Sequence, residues 1–105
     1  MDHKTNIQEL KEKIKKFCED REWDQYHCAK DLAIGIITES SELLEHFRFK
    51  SEKEIEELFR NVEKREHIGE EMADVFYFLL RLAQRYNIDL VTELNKKMDK
   101  NEKRY

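Results

Sequence analysis

Two acidic pairs stand out in the chain, Glu39 with Glu42 and Glu71 with Asp74, each three residues apart. On a helix that spacing turns both side chains toward neighbouring directions on one face. Glu39 flanks an apolar stripe, one turn from Ile36 and Leu43, and Glu71 falls between Phe78 and Leu82, inside an apolar arc. Charge is costly in such places. If the two helices pack together, four carboxylates converge, and they repel one another unless a cation sits among them. Oxygen donors without a partnered His or Cys suit a hard ion, Mg²⁺ or in its place Mn²⁺. The competing reading is a solvated face: the chain carries 24 Asp and Glu, and Glu9–Glu12 and Glu54–Glu57 repeat the spacing. A di-iron carboxylate centre is a second competitor, but it requires Glu-x-x-His on two helices. Glu42–His46 and His67–Glu71 are spaced by four instead, so His3, His46 and His67 read as surface histidines.

Further candidates lie elsewhere. The segment REWDQYHC holds Trp23, Tyr26 and His27, which could wall a nucleobase or simply plug a connector against the body of the domain. Phe49, just after the second helix, could extend that wall or pack the helix end. Lys97, Asn101 and Arg104 recur at i, i+4 and i+7 and form one polar face. Basic residues near a helix C-terminus often serve the macrodipole; beside a metal–carboxylate cluster the same face would grip phosphate oxygens. No Ser-His-Asp or Cys-His arrangement is indicated.

The elements that must position these groups are helices. Ile7, Leu10, Ile14 and Phe17 step along one face of a first helix, and Arg21–Cys28 reads as a connector. A second helix runs roughly from Ala29 to Phe47, burying Leu32, Ala33, Ile36, Ile37, Leu43, Leu44 and Phe47. Ser51 with Glu54 is a capping box opening a short helix faced by Ile55, Leu58, Phe59 and Val62. The charged run Glu63–His67 predicts a break or solvated link, followed by a helix from about Ile68 to Tyr86. That helix is apolar over well over half its circumference, so it must be surrounded, at a bundle centre or against a second subunit. Asn87-Ile88-Asp89 breaks the chain before a last helix with a basic end. The fold class expected is all-α: a four-helix-type bundle with a short extra helix, assembling as a homo-oligomer.

Composition closes off other classes. The chain has 105 residues, one domain's worth over 1–105, with 42% charged residues but a net charge of only −4. With no proline and two glycines, a β-sandwich, a collagen and a Gly-rich phosphate loop are excluded. No stretch approaches the ~20 apolar residues of a membrane span. No basic region precedes an apolar run, so a secretion signal is not expected, and Cys18 and Cys28 read as reduced thiols of a cytoplasmic protein. Mild acidity argues against a nucleic-acid polymer as partner.

Taken together, Glu39-x-x-Glu42, 28 intervening residues, and Glu71-x-x-Asp74 resemble the E-x-x-E…E-x-x-D signature of the all-α nucleoside triphosphate pyrophosphohydrolases, the MazG-like superfamily. The contexts ESSELLEHFRFK, EEMADVFYFLLRLA and KMDKNEKRY agree, and REWDQYH is similar to the short dCTP pyrophosphatase branch. The resemblance implies a dimer or tetramer and Mg²⁺ held by Glu39, Glu42, Glu71 and Asp74. It also implies Lys97 and Asn101 on the triphosphate and Trp23 by the base. Three positions depart from the pattern: Phe49 stands where the dCTP-type enzymes usually have Trp, Phe78 where they often have Tyr, and Ile14 where some have His. Base and sugar preference therefore stay open. The reaction implied is metal-assisted attack of water on the α-phosphorus, giving monophosphate and pyrophosphate. Glu39 or Glu42 would accept the proton, and Lys97 and Arg104 would steady the leaving group, with His27, Phe49 and Phe78 near the nucleoside. A non-catalytic helical oligomerisation or regulatory module is the alternative, and the same scaffold acting on a phosphoribosyl-nucleotide is an intermediate one.

Overall fold

Local rules place most of the helix ends. The computed structural model describes all 105 residues. Its elements are α1 (Ile7–Asp20), a 3-10 turn (Asp24–Tyr26), α2 (Ala29–Glu45), α3 (Glu52–Arg60), α4 (Val62–Arg85) and α5 (Leu90–Arg104), with no strand. Asn6 starts α1 by accepting the Glu9 amide at 2.8 Å, and Asp89 starts α5 by accepting that of Thr92 at 2.9 Å. The Ser51–Glu54 capping box is formed in both directions, each bond at 3.2 Å. Such caps satisfy amides that the first helical turn leaves without a partner.

One expected boundary is wrong. Glu63–His67 is not a link but the opening of α4. Asn61 caps it, its side-chain oxygen accepting the Lys64 amide at 3.1 Å. The charged side chains that suggested a break are all exposed, so they stay solvated, and Glu, Lys and Arg are good helix formers. With neither glycine at positive φ, the exits of α1, α2 and α4 use Glu22, Phe49 and Asn87, at φ 55°, 63° and 54°. Asn accepts that conformation readily, whereas for a bulky Phe it is strained.

The chain forms two compact units. One comprises Met1–Tyr26 and Leu80–Tyr105, so it holds α1, the 3-10 turn, the end of α4, and α5. Its core contains Cys18, Leu80 and Ala83, together with the buried Lys11 and Arg81. The Lys11 ammonium donates to the Ile88 carbonyl, which ties α1 to the α4–α5 turn. The other unit, His27–Leu79, holds α2, α3 and most of α4 around Leu32, Leu58 and Ile68. Phe47 stacks on Phe59 with ring centroids 5.7 Å apart. Gly35 lets α2 and α4 approach closely, since a Cβ there would lie 2.5 Å from Cδ1 of Phe78.

The expected burial of α2 and α4 needs correcting. Leu32 is buried and Ile36, Leu43 and Phe47 are half-buried, but Ala33, Ile37 and Leu44 are exposed. On α4, Met72, Phe76 and Leu79 are exposed as well. Each helix is apolar on more sides than one chain covers. No helix is long and apolar enough to cross a membrane, and both cysteines are free, Cys18 buried and Cys28 exposed.

Candidate active site

The unit formed by His27–Leu79 gathers the acidic residues. Glu39 and Glu42 project from α2 and Glu71 from α4, and each offers a carboxylate oxygen within 4.8 Å of the other two. Adjacent turns of two helices account for this. The stripe Gly35–Glu39–Glu42 runs along α2, and the stripe Glu71–Asp74–Phe78 runs along α4. The missing Cβ of Gly35 brings the two stripes together against the Phe78 ring. Asp74 is exposed and lies outside the close group, yet its charge acts on both Glu39 and Glu71.

Glu39 is half-buried, and its carboxyl is held above the usual carboxylate range. Burial is the largest cause, followed by the charge and hydrogen bond of Glu42 and then the charges of Asp74 and Glu71. Glu71 is raised for the same reasons: burial first, then Glu42, then Asp74, with His46 opposing. One oxygen of each, Oε2 of Glu39 and Oε2 of Glu71, is buried without a hydrogen-bond partner. A buried acceptor left unsatisfied is destabilising by itself. Two of them among crowded carboxylates form a site that a small cation would satisfy, and an all-oxygen donor set matches a hard divalent ion.

His46 corrects the sequence reading. It is half-buried rather than a surface residue, with Nε2 3.9 Å from Glu71 Oε1. The signal was present: His46 lies one turn beyond Glu42 on the same face of α2. The other two are surface residues as expected, His67 being exposed beside Glu70 and His3 exposed near the N-terminus.

The remaining candidates fall in both units. Phe78 is half-buried against Gly35, and His27 is half-buried at the entry to α2. Phe49 is 91% exposed, with the Arg48 guanidinium 4.7 Å over its ring. Phe49 thus combines a left-handed backbone with a ring left largely open to water. In the other unit, Trp23 is half-buried with its ring edge-on to Phe17 at 5.5 Å, while Tyr26 is exposed. On α5, Lys97 and Arg104 are exposed and Asn101 is half-buried. A polar cavity of about 340 Å³ lined by Gln8, Lys11, Lys15, Gln84 and Asn87 contains none of the candidate residues.

An all-helical chain with acids converging from two helices defines a class, and comparison with known proteins agrees. The sequence model of the MazG-like family matches residues 34–105, and the chain belongs to that family. It is 31% identical over 99 residues to dCTP pyrophosphatase 1 of Rattus norvegicus, and 30% identical to dCTP pyrophosphatase 1 of Homo sapiens. Both matches cover 94% of this chain but only 58% of the relative. The chain thus spans little more than half the length of these curated relatives. Among solved structures, a pyrophosphatase from Archaeoglobus fulgidus superposes with a TM-score of 0.83 at 37% identity, covering 94% of this chain and 91% of that one.

Proposed function

We propose that this chain is a Mg²⁺-dependent nucleoside triphosphate pyrophosphohydrolase that cleaves between the α- and β-phosphates. The observation that carries the reading is the cluster of Glu39, Glu42 and Glu71, with two buried oxygens that have no partner. The name of the relatives supports dCTP as substrate, and a modified pyrimidine triphosphate is the further candidate. The purpose would be removal of unwanted nucleotides from the cytoplasmic pool.

Glu39, Glu42, Glu71 and Asp74 would hold the ion. A bound Mg²⁺ supplies charge neutralisation on phosphate oxygens and lowers the pKa of water. A carboxylate of the Glu39–Glu42 pair accepts the proton of the attacking water. Lys97 and Arg104 offset the charge that develops on the pyrophosphate leaving group, and Asn101 donates to the triphosphate. Trp23, His27, Phe49 and Phe78 contact the nucleoside; these roles rest on the family resemblance. The exposed apolar residues of α2 and α4 support a homodimer or homotetramer.

A panel of common and 5-modified nucleoside triphosphates with Mg²⁺, read for pyrophosphate against orthophosphate, tests the activity. Pyrophosphate and monophosphate are the expected products. Orthophosphate as first product would make the protein a terminal phosphatase. No turnover of any nucleotide would favour the non-catalytic module.

A further inference from the structure

Arg81 is an anomaly in α4: an arginine with no solvent exposure, among Phe78, Leu79, Leu80, Leu82 and Ala83. A buried guanidinium is tolerated only when its donors are used. Its Nη1 donates to Gln84 one turn along, and its Nη2 pairs with the Asp24 carboxylate, 57 residues away in sequence. One turn further, Arg85 Nη2 donates to the backbone carbonyl of the same Asp24 at 3.3 Å. Two arginines of one helix thus hold a single residue of the α1–α2 connector, by its side chain and by its main chain.

That residue directly follows Trp23. The Trp23 amide donates to the Cys18 carbonyl at 3.0 Å, and the Trp23 ring rests edge-on against Phe17. The Arg21 guanidinium lies 3.6 Å over the Phe17 ring. Trp23 is therefore fixed by a ring contact and an amide on one side and by the held Asp24 on the other. A surface connector needs no buried charge to stay folded, and apolar residues would pack the same space as well. What an ion pair adds is direction, because its hydrogen bonds form only when both partners keep their relative positions.

We propose that Arg81 and Arg85, acting through Asp24, are positioning residues that set Trp23 for contact with the nucleobase. The proposal rests on the pyrophosphohydrolase reading for its substrate, while the positioning itself is measurable without one. Trp23 is the single tryptophan of the chain, so its emission reports the connector directly.

The test compares wild type, Arg81→Met, Arg81→Lys and Asp24→Asn. Methionine fills the buried space, and the Asp24 side chain, 46% exposed, keeps access to water, so Arg81→Met strands no fully buried charge. In nucleotide-free protein, Arg81→Met should red-shift Trp23 emission and increase its quenching by acrylamide, with Asp24→Asn moving in the same direction. With dCTP and Mg²⁺, KM should rise about tenfold, the order expected when a stacking aromatic is displaced, while kcat stays within about twofold. Arg81→Lys should recover part of the loss. Unchanged emission and quenching in both Arg81→Met and Asp24→Asn would overturn the positioning. Altered emission with an unchanged KM would overturn its link to substrate. An inactive wild type would remove the enzymatic reading, and the emission would still decide whether the arginines position Trp23. Should circular dichroism show Arg81→Met unfolded, Asp24→Asn decides the same questions.

Discussion

Glu71 is the residue at which a stability measurement and an activity measurement test the same proposal. Its carboxylate sits beside Glu39 and Glu42 with one oxygen buried and unpartnered. Glu71→Gln keeps the size and polarity while removing one of the crowded charges. The expected outcome is opposed in sign: activity falls to background, yet the metal-free variant melts higher than metal-free wild type. Added Mg²⁺ should raise the wild-type Tm by mass action and barely move the variant. Calorimetry with and without the ion checks the two melting effects, and pyrophosphate release checks the activity. A glutamate on a solvated face would produce none of these effects. The raised proton affinities of Glu39 and Glu71 add a pH dependence. Above the ordinary carboxyl value of 4.5, the native state binds more protons at these groups than the unfolded chain does. Their contribution is therefore fully present below the unfolded pKa and lost as pH rises through the native one. Thermal melts of metal-free protein from mildly acidic to neutral pH should show wild type losing more stability than Glu71→Gln.

At the level of the element, caps and one close helix contact carry the argument. Ser51→Ala should cost about 1 kcal/mol in denaturant unfolding, the usual worth of a helix N-cap. Glu54 and Asp89 behave oppositely to the acidic cluster. Hydrogen bonds at Ser51 and Thr92 hold their carboxyls below the ordinary values of 4.5 and 3.8. Their contribution is present above the unfolded pKa and lost as pH falls through the folded one. Gly35→Ala addresses packing, because its Cβ would meet the root of the Phe78 ring, at Cγ, at 2.9 Å as well as Cδ1 at 2.5 Å. Overpacking of this kind typically costs about 1–3 kcal/mol. Gly35→Ala should lower the Tm, and Phe78→Leu in the same chain should restore part of it.

For the whole molecule, the exposed apolar residues set the expectation. Ile37 is 71% exposed, and Leu44, Met72, Phe76 and Leu79 are also open to water in one chain. Apolar surface of that extent is normally covered in a soluble protein. Light scattering at micromolar concentration should therefore give a dimer or tetramer, with a Tm that rises with protein concentration. Phe76→Glu should shift the mass toward the monomer and remove the concentration dependence. A monomeric wild type would count against assembly.

Much of this was legible in the residues because the physics is local. The capping box at Ser51 depends on a few adjacent residues, as does the 3.6-residue apolar period of each helix; the caps at Asn6 and Asp89 are equally local but were found only in the structure. The family was legible too, since paired acids at i, i+3 on two helices form a pattern in the chain itself. Charge alone misled at Glu63–His67, where helix propensity and the Asn61 cap outweighed the apparent break. Tertiary structure decided the rest. Only packing brings Glu39 and Glu42 to Glu71 and leaves Asp74 at the margin, because convergence depends on how closely Gly35 lets α2 approach α4. Likewise, only packing turns His46 toward Glu71 and pairs Arg81 with Asp24, because those partners are separated by tens of residues and no local rule couples them.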